Sequence, residues 1–318
     1  TGKTIVVTGA AGAVGSAAGQ IAKLLGAAKV VGLAGTDEKC AHCVEKFQFD
    51  HMLNYKSPTL EADLNKLKPF HGFYDNTGGP AATLIKALLE DNSPVAKVGA
   101  IGGETSSEHD GRLKITGFYA GGCIEKWPPA IQQLVQWVTT GKLKFDETIV
   151  KGIENVPEAF IRQRTGKQIG KMIVDLRSPS TTDTAAPTTA SSATTNSRWV
   201  QTAIPEKPAE GGYPIPKPTD FKLVQDPLPT AADLKDGEVL VKHHFLSPDP
   251  YIVSMIMVQP ANVGKTVWAG ASGEVVLSKS ESLPVGSLVV GGGSSGSQQY
   301  SVGNEKALNK LPPGVSTL

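Results

Sequence analysis

"TGAAGAVGSAAGQIAKLLG", residues 8–26, decides how the rest of the chain is read. It follows "KTIVV" (3–7), an apolar run of the kind that forms a buried parallel strand. Val14, Ala17, Ala18, Ile21, Ala22 and Leu25 then recur at helical spacing, and Gly26 supplies a stop. Between strand and helix, Ala10-Ala11-Gly12-Ala13-Val14-Gly15 is an A-x-G-x-x-G form of the dinucleotide fingerprint. Gly12 lets backbone approach a pyrophosphate, and Gly15 lets the helix pack tightly on the strand. The helix N-terminus offers N–H groups and a positive dipole end to the phosphates. The hexapeptide alone is a weak signal, and its strand-turn-helix setting is what gives it force.

Outward from that turn the pattern repeats. "KVVGLAG" (29–35) reads as a second strand, and "TDEKCAHCVEKF" (36–47) as a helix opening on a capping residue. "GFYDNTGG" (72–79) and "AKVGAIGG" (96–103) each run a strand into a glycine turn. Alternating strands and helices imply an α/β doubly wound parallel sheet. "PPAIQQLVQWVTTGKL" (128–143) predicts a helix with Ile131, Leu134, Val135 and Val138 on one face and Gly141 as its stop. "NVPEAFIRQRTG" (155–166) predicts a short helix with Asn155 and Glu158 at capping-box spacing, and "KMIVDL" (171–176) a further strand.

Composition changes at "RSPSTTDTAAPTTASSATTNS" (177–197), which lacks large apolar residues and reads as a disordered linker. Beyond it, "GEVLVKHHFLSPDPY", "AGASGEVVLSKS", "VGSLVVGGG" and "SQQYSV" predict a strand-rich barrel over 198–318. The domain expectation is therefore 1–145 for nucleotide binding, 146–176 returning to the barrel, the linker, and the barrel. A net charge of +1 with interleaved acids and bases argues against nucleic acid and membrane partners. No apolar run is long enough for a membrane span and no signal peptide is visible. Three cysteines, Cys40, Cys43 and Cys123, form no disulfide framework, which points to the cytoplasm.

The end of the second strand speaks to the choice of dinucleotide. An NAD site places a carboxylate about 20 residues past the last glycine. Here Gly35-Thr36 stands at that place with Lys39 one turn into the next helix, which favours the 2′-phosphate of NADPH. Asp37 and Glu38 fit the first turn of a helix, where they complement its dipole. Zinc chemistry lacks ligands: 198–318 contains no cysteine, and His243 and His244 point to opposite faces of a strand. Cys40, His42 and Cys43 cluster on a helix, where the two cysteines share a face and read as small packed hydrophobes. "GGGSSGS" (291–297) reads as a turn between strands, and His109 and Asp110 as solvated turn residues.

"VVTGAAGAVGSAAGQIAK", "GTDEK", "NYK", "YDNTGG", "GKQIGKMIV" and "FLSPDPY" together resemble the zinc-independent medium-chain dehydrogenase/reductases. Among these the closest likeness is to prostaglandin reductases and NADP-dependent alkenal double-bond reductases. The resemblance implies a Rossmann domain, a GroES-like barrel and NADPH. It also implies hydride transfer to the C=C bond of a small α,β-unsaturated ketone or aldehyde, and it leaves a homodimer open. By the same resemblance, Ala11, Gly12, Ala13, Val14 and Gly15 hold the cofactor, with Lys39 and Tyr55 at the 2′-phosphate. Asn76 matches a residue near the nicotinamide, and Gln168 stands where the family has asparagine. Tyr251 matches a tyrosine of the substrate cleft, with Tyr119 a weaker candidate. Two departures stand out. "ETSSEHDG" (104–111) replaces a longer pocket loop, and the two domains come in inverted order without their connector. The expectation is a window cut from two tandem copies, with a circular permutant as the alternative. An NADP-binding fragment without useful catalysis and a quinone reductase also remain open.

Overall fold

The computed structural model describes residues 2–98, 111–118, 120–177, 194–208, 214–292, 295–312 and 314. Tyr119, His109, Asp110, residues 178–193 of the expected linker and most of the shortened pocket loop lie outside them. The chain divides into two compact units, one of residues 1–147 with 168–171, the other of 148–167 with 172–318. The 146–176 segment is thus shared between them.

The first unit runs β1 (Thr4–Val7), α1 (Ala13–Leu24), β2 (Lys29–Ala34), α2 (Asp37–Phe47), β3 (His51–Asn54), α3 (Leu60–Leu67), β4 (Gly72–Asp75), α4 (Gly79–Leu88), β5 (Pro94–Val98), β6 (Lys114–Phe118) and α5 (Trp127–Thr139). The strands form one sheet in the order β3-β2-β1-β4-β5-β6, with every pair parallel. This is the Rossmann order. Side chains alternate across the sheet, so each strand supplies two cores. Val6, Val31 and Leu33 join Leu64, Phe70 and Ile85 on one face. Val7, Val30 and Ala34 join Cys43, Phe47 and Phe49 on the other. Both faces are buried, and that is why these strands read as continuous apolar runs.

The expected apolar stripe of α1 is corrected in part: Ala18 and Ala22 of that stripe pack, partly buried, on the Val7 face. The buried residues of the helix are Gly15, Ser16, Gly19 and Gln20, while Val14 is 54% and Leu25 72% exposed. The helix lies so close that a Cβ at Gly19 would overlap the Phe49 ring. Close approach selects small residues, so glycines and alanines, rather than the larger Val14 and Leu25, make the packing face. In α5 the stop is as read, with Gly141 at φ 69°, but the Ile131 and Val135 side chains are exposed.

The second unit contains α6 (Val156–Arg164), β9 (Thr195–Gln201), β10 (Phe221–Pro227), β11 (Glu238–Ser247), β12 (Gly270–Ser278), β13 (Leu288–Gly291), β14 (Tyr300–Asn304) and β15 (Leu308–Lys310). Two further strands, β7 (Glu147–Lys151) and β8 (Lys171–Asp175), begin at the unit boundary and continue into it. β7, β8 and β11 to β15 form a seven-stranded sheet, and β9 and β10 an antiparallel pair. β11 pairs with β14 over Glu238–Lys242 and with β8 over Phe245–Leu246, with an irregularity between His243 and Phe245. That shift of register against β12 separates the half of the strand that pairs with β14 from the half that pairs with β8. Opposite it, a Cβ on Gly273 would press on the Lys242 carbonyl and come within 2.8 Å of the His243 Cα.

Two local expectations fail. The linker was read to 197, yet β9 begins at Thr195, and Asn196 and Ser197 are buried. Asn196 anchors the strand by exchanging hydrogen bonds with the Tyr300 backbone at 2.9 and 3.0 Å. Asn155 makes no capping bond to α6 and instead donates its amide to the Lys151 carbonyl. No described helix is long and apolar enough to cross a membrane.

Candidate cofactor site

The turn after β1 is built by three glycines with separate duties. Gly9 takes φ 62°, a left-handed conformation that glycine enters without penalty, and its carbonyl accepts the Gly12 N–H at 2.9 Å. Gly12 is the extended N-cap of α1, with no side-chain cap and no acid in the first turn. At Gly15 a Cβ would lie 2.7 Å from the Gly9 carbonyl carbon and 2.9 Å from the Ala10 Cα. The fingerprint therefore leaves an uncapped helix N-terminus pressed against its own turn, the arrangement that suits a phosphate. Ala11 is buried, whereas Ala13 and Val14 are exposed at the helix start.

Sequence-distant residues complete the turn. Gly170 donates its N–H to the Ala11 carbonyl at 2.8 Å and pairs with Gly12 in an isolated bridge. Its φ is 69°, and a Cβ there would run into the Asp146 backbone. Two residues before Gly170, Gln168 has its Oε1 buried without a hydrogen-bond partner. Asp146 in turn pairs with His42 and Lys46 of α2.

Strand order reverses between β1 and β4, and a ligand crevice is expected beyond their carboxyl ends. A cleft of about 380 Å³ lies there, lined by Thr8, Gly9, Leu33, Tyr55, Thr77 and Gly78 among others. Its wall is tied by Asp75, which is 2% exposed. Asp75 Oδ1 accepts from Thr8 Oγ1 (3.1 Å), Thr77 N (3.1 Å) and Gly78 N (2.8 Å). Asn76 donates its side-chain amide to the Thr8 carbonyl at 2.9 Å and its backbone N–H to Thr8 Oγ1. Sequence reasoning singled out Asn76 but missed Thr8 and Asp75. The signal available was a polar residue at the carboxyl end of each of the two central strands.

At the other end of the cleft, Thr36 caps α2 by accepting the Lys39 N–H at 3.3 Å. A Cβ on Gly35 would lie 2.9 Å from the Tyr55 hydroxyl, so Tyr55 stands over the end of β2. Gly35 and Tyr55 thus meet at one strand end, with Lys39 in the first turn of the helix that follows. The Tyr55 hydroxyl suits a phosphate oxygen, and the glycine leaves that edge without a carboxylate of its own. The lining and the glycine turn fit a dinucleotide.

Tyr251 belongs to the second unit, where it precedes a helical turn over Ile252–Ile256. It is half-buried against the cluster of Val156, Phe160, Ile252 and Val253. His243 is 3% exposed and both its ring nitrogens are engaged, Nδ1 with the Gln298 carbonyl (2.9 Å) and Nε2 with Ser301 Oγ (2.8 Å). Burial holds its pKa down to about 4, so it is neutral. His244 is on the other side of the strand, and burial lowers its pKa too. Burial pushes the Cys43 thiol up to about 12, and its sulfur contacts the Ala10 carbonyl at 3.7 Å. Cys40 is also raised, chiefly by burial. Both are packing residues. Among the described residues, no group of three or more His, Cys, Asp or Glu side chains is arranged to hold a metal ion.

Comparison with known proteins bears on both units. Residues 13–136 match the family model described as zinc-binding dehydrogenase, and residues 210–311 the one described as N-terminal domain of oxidoreductase. The chain is 36% identical over 195 residues to the putative NADP-dependent oxidoreductase YfmJ of Bacillus subtilis, covering 56% of this chain and 57% of that protein. It is 38% identical over 188 residues to prostaglandin reductase 1 of Sus scrofa, covering 54% and 56%. Among solved structures it is similar to CurA from Vibrio vulnificus in complex with NADPH. That match has a TM-score of 0.51 at 31% identity and covers 56% of this chain and 58% of that one. The chain spans little more than half the length of these curated relatives. Each unit thus carries a match to an oxidoreductase family model, and over part of its length the chain is similar to the prostaglandin reductases.

Proposed function

We propose that this chain is the cofactor- and substrate-binding part of an NADPH-dependent, zinc-independent ene reductase, acting on the C=C bond of an α,β-unsaturated ketone or aldehyde. The observation that carries the proposal is the cleft at the β1/β4 reversal, with a glycine turn on its wall and Tyr55 standing over Gly35 at the end of β2. The NADP-dependent and NADPH-bound relatives support it.

In this reading Ala11 to Gly15 receive the pyrophosphate on backbone N–H groups, and Lys39 and Tyr55 hold the 2′-phosphate. Thr8, Asp75 and Asn76 keep the central strand ends in register beside the nicotinamide half, with Gln168 at the turn. When bound, the cofactor supplies the hydride. The protein's remaining tasks are orientation and stabilisation of charge on the carbonyl oxygen, for which Tyr251 is the proposed donor. Solvent delivers the proton to the α-carbon.

The test is cofactor preference. A charge-assisted hydrogen bond is worth roughly 1.5–3 kcal/mol, which is about one to two decades of affinity. NADPH is therefore expected to bind about tenfold to hundredfold more tightly than NADH, and Lys39→Ala to remove most of that difference while leaving NADH binding unchanged. Equal losses for both cofactors would mean that Lys39 supports the fold, and the phosphate-site reading would fail.

A further inference from the structure

Two acids, Asp37 and Glu38, occupy the first turn of α2, directly after the strand end that the NADPH reading assigns to the 2′-phosphate. A carboxylate in that position suits a ribose hydroxyl and repels a phosphate. Asp37 is engaged elsewhere: its Oδ1 accepts the Asn54 side-chain amide at 2.9 Å. Asn54 is held in that orientation by a second bond, because its Oδ1 accepts the Lys56 N–H at 3.0 Å. The two bonds require the same assignment of oxygen and nitrogen, so the amide has one consistent orientation. Asn54 is the last residue of β3, the edge strand, which lies across β2 from β1. A carboxylate bonded to Asn54 is therefore turned toward the sheet edge.

We propose that Asn54 is a specificity-determining residue, which tethers the Asp37 carboxylate to the end of β3 and so keeps this site selective for a 2′-phosphorylated dinucleotide. The proposal rests on the NADPH reading above. Asn54 contacts no part of the cofactor in this account and acts through Asp37. The same clamp flanks Tyr55, whose hydroxyl stands over Gly35, so a loss on mutation could come by either route. A double-mutant cycle separates them.

The experiment measures NADPH and NADH dissociation constants by cofactor fluorescence for wild type, Asn54→Ala, Asp37→Ala and the double variant, at low and high salt. Asn54→Ala is expected to lower the NADPH-over-NADH preference roughly fivefold at low salt, the scale of one exposed charge pair. The effect should shrink as salt screens the repulsion. In the Asp37→Ala background it should vanish. Asn54→Asp keeps the acceptor for Lys56 but cannot donate to Asp37, and should lower the preference at least as far. An unchanged ratio in both Asn54 variants, or the same loss with Asp37 already removed, would overturn the proposal while leaving the NADPH reading intact. A wild-type chain that binds both cofactors equally would refute that reading, and this proposal with it.

Discussion

Gly12 and Gly15 occupy the same motif, and the structure predicts that alanine at each will fail differently. At Gly15 an added Cβ meets backbone: it would sit 2.7 Å from the Gly9 carbonyl carbon and 2.9 Å from the Ala10 Cα, where ordinary contact begins near 3.4 Å. Neither neighbour is a flexible side chain, so α1 must lift from the turn. Overpacking of this kind costs about 1–3 kcal/mol, offset by the roughly 1 kcal/mol that alanine gains over glycine inside a helix. Gly15→Ala should therefore lose up to about 2 kcal/mol of stability, and NADPH binding should fall with it because the helix end proposed to face the phosphates has moved. At Gly12 the nearest atom is the Gly9 oxygen at 3.3 Å, so a methyl group fits with small adjustment. As an N-cap, alanine there costs only about 0.5–1 kcal/mol. In the proposed reading its Cβ stands where the pyrophosphate would approach. Losing one charge-assisted backbone contact should weaken NADPH roughly tenfold or more. Urea unfolding followed by circular dichroism gives the stabilities, and nicotinamide fluorescence titration gives the affinities. A Gly12→Ala protein that binds NADPH like wild type would refute the assignment of that turn to the phosphates. A Gly15→Ala protein more stable than wild type would refute the packing argument.

Other expectations are as direct. The buried His243 has its pKa held at about 4, below the ordinary 6.5. As pH falls the unfolded chain takes up the proton first, so this contribution is present above about pH 6.5 and is lost between 6.5 and 4. It amounts to about 3 kcal/mol at about 1.4 kcal/mol per pH unit. His243→Gln should flatten that part of the stability-against-pH curve, and an unchanged slope would show that other groups carry it. Gln20, 6% exposed, donates to the Lys144 carbonyl at 2.8 Å and accepts the Lys144 N–H at 2.9 Å. Gln20→Ala leaves both backbone groups unpaired and should cost about 2–4 kcal/mol in urea unfolding. A loss below 0.5 kcal/mol, within the range of ordinary surface substitutions, would mean that water replaces it freely.

Legible in the sequence were the strand-turn-helix unit at 3–26, the alternation that builds a parallel sheet, and the strand-rich character of the second unit. These are local: a buried parallel strand must be apolar throughout, a helix needs its period, and a left-handed turn asks for glycine. The place of Lys39 in the first turn of α2 was legible for the same reason, since Thr36 reads as the residue that caps that helix. What only the tertiary structure decided depends on contacts between distant residues. The buried face of α1 follows from the approach of Phe49 to Gly19, which no periodicity in 13–24 contains. The start of β9 at Thr195 follows from Asn196 finding the Tyr300 backbone, although the composition around it reads as linker. Thr8 and Asp75 become partners because β1 and β4 are neighbours in the sheet while 67 residues apart in the chain. The Asn54–Asp37 bond arises because β3 adds beside β2 and brings its last residue to the start of α2. Each is a polar or small residue whose role is set by a partner that only the folded sheet supplies.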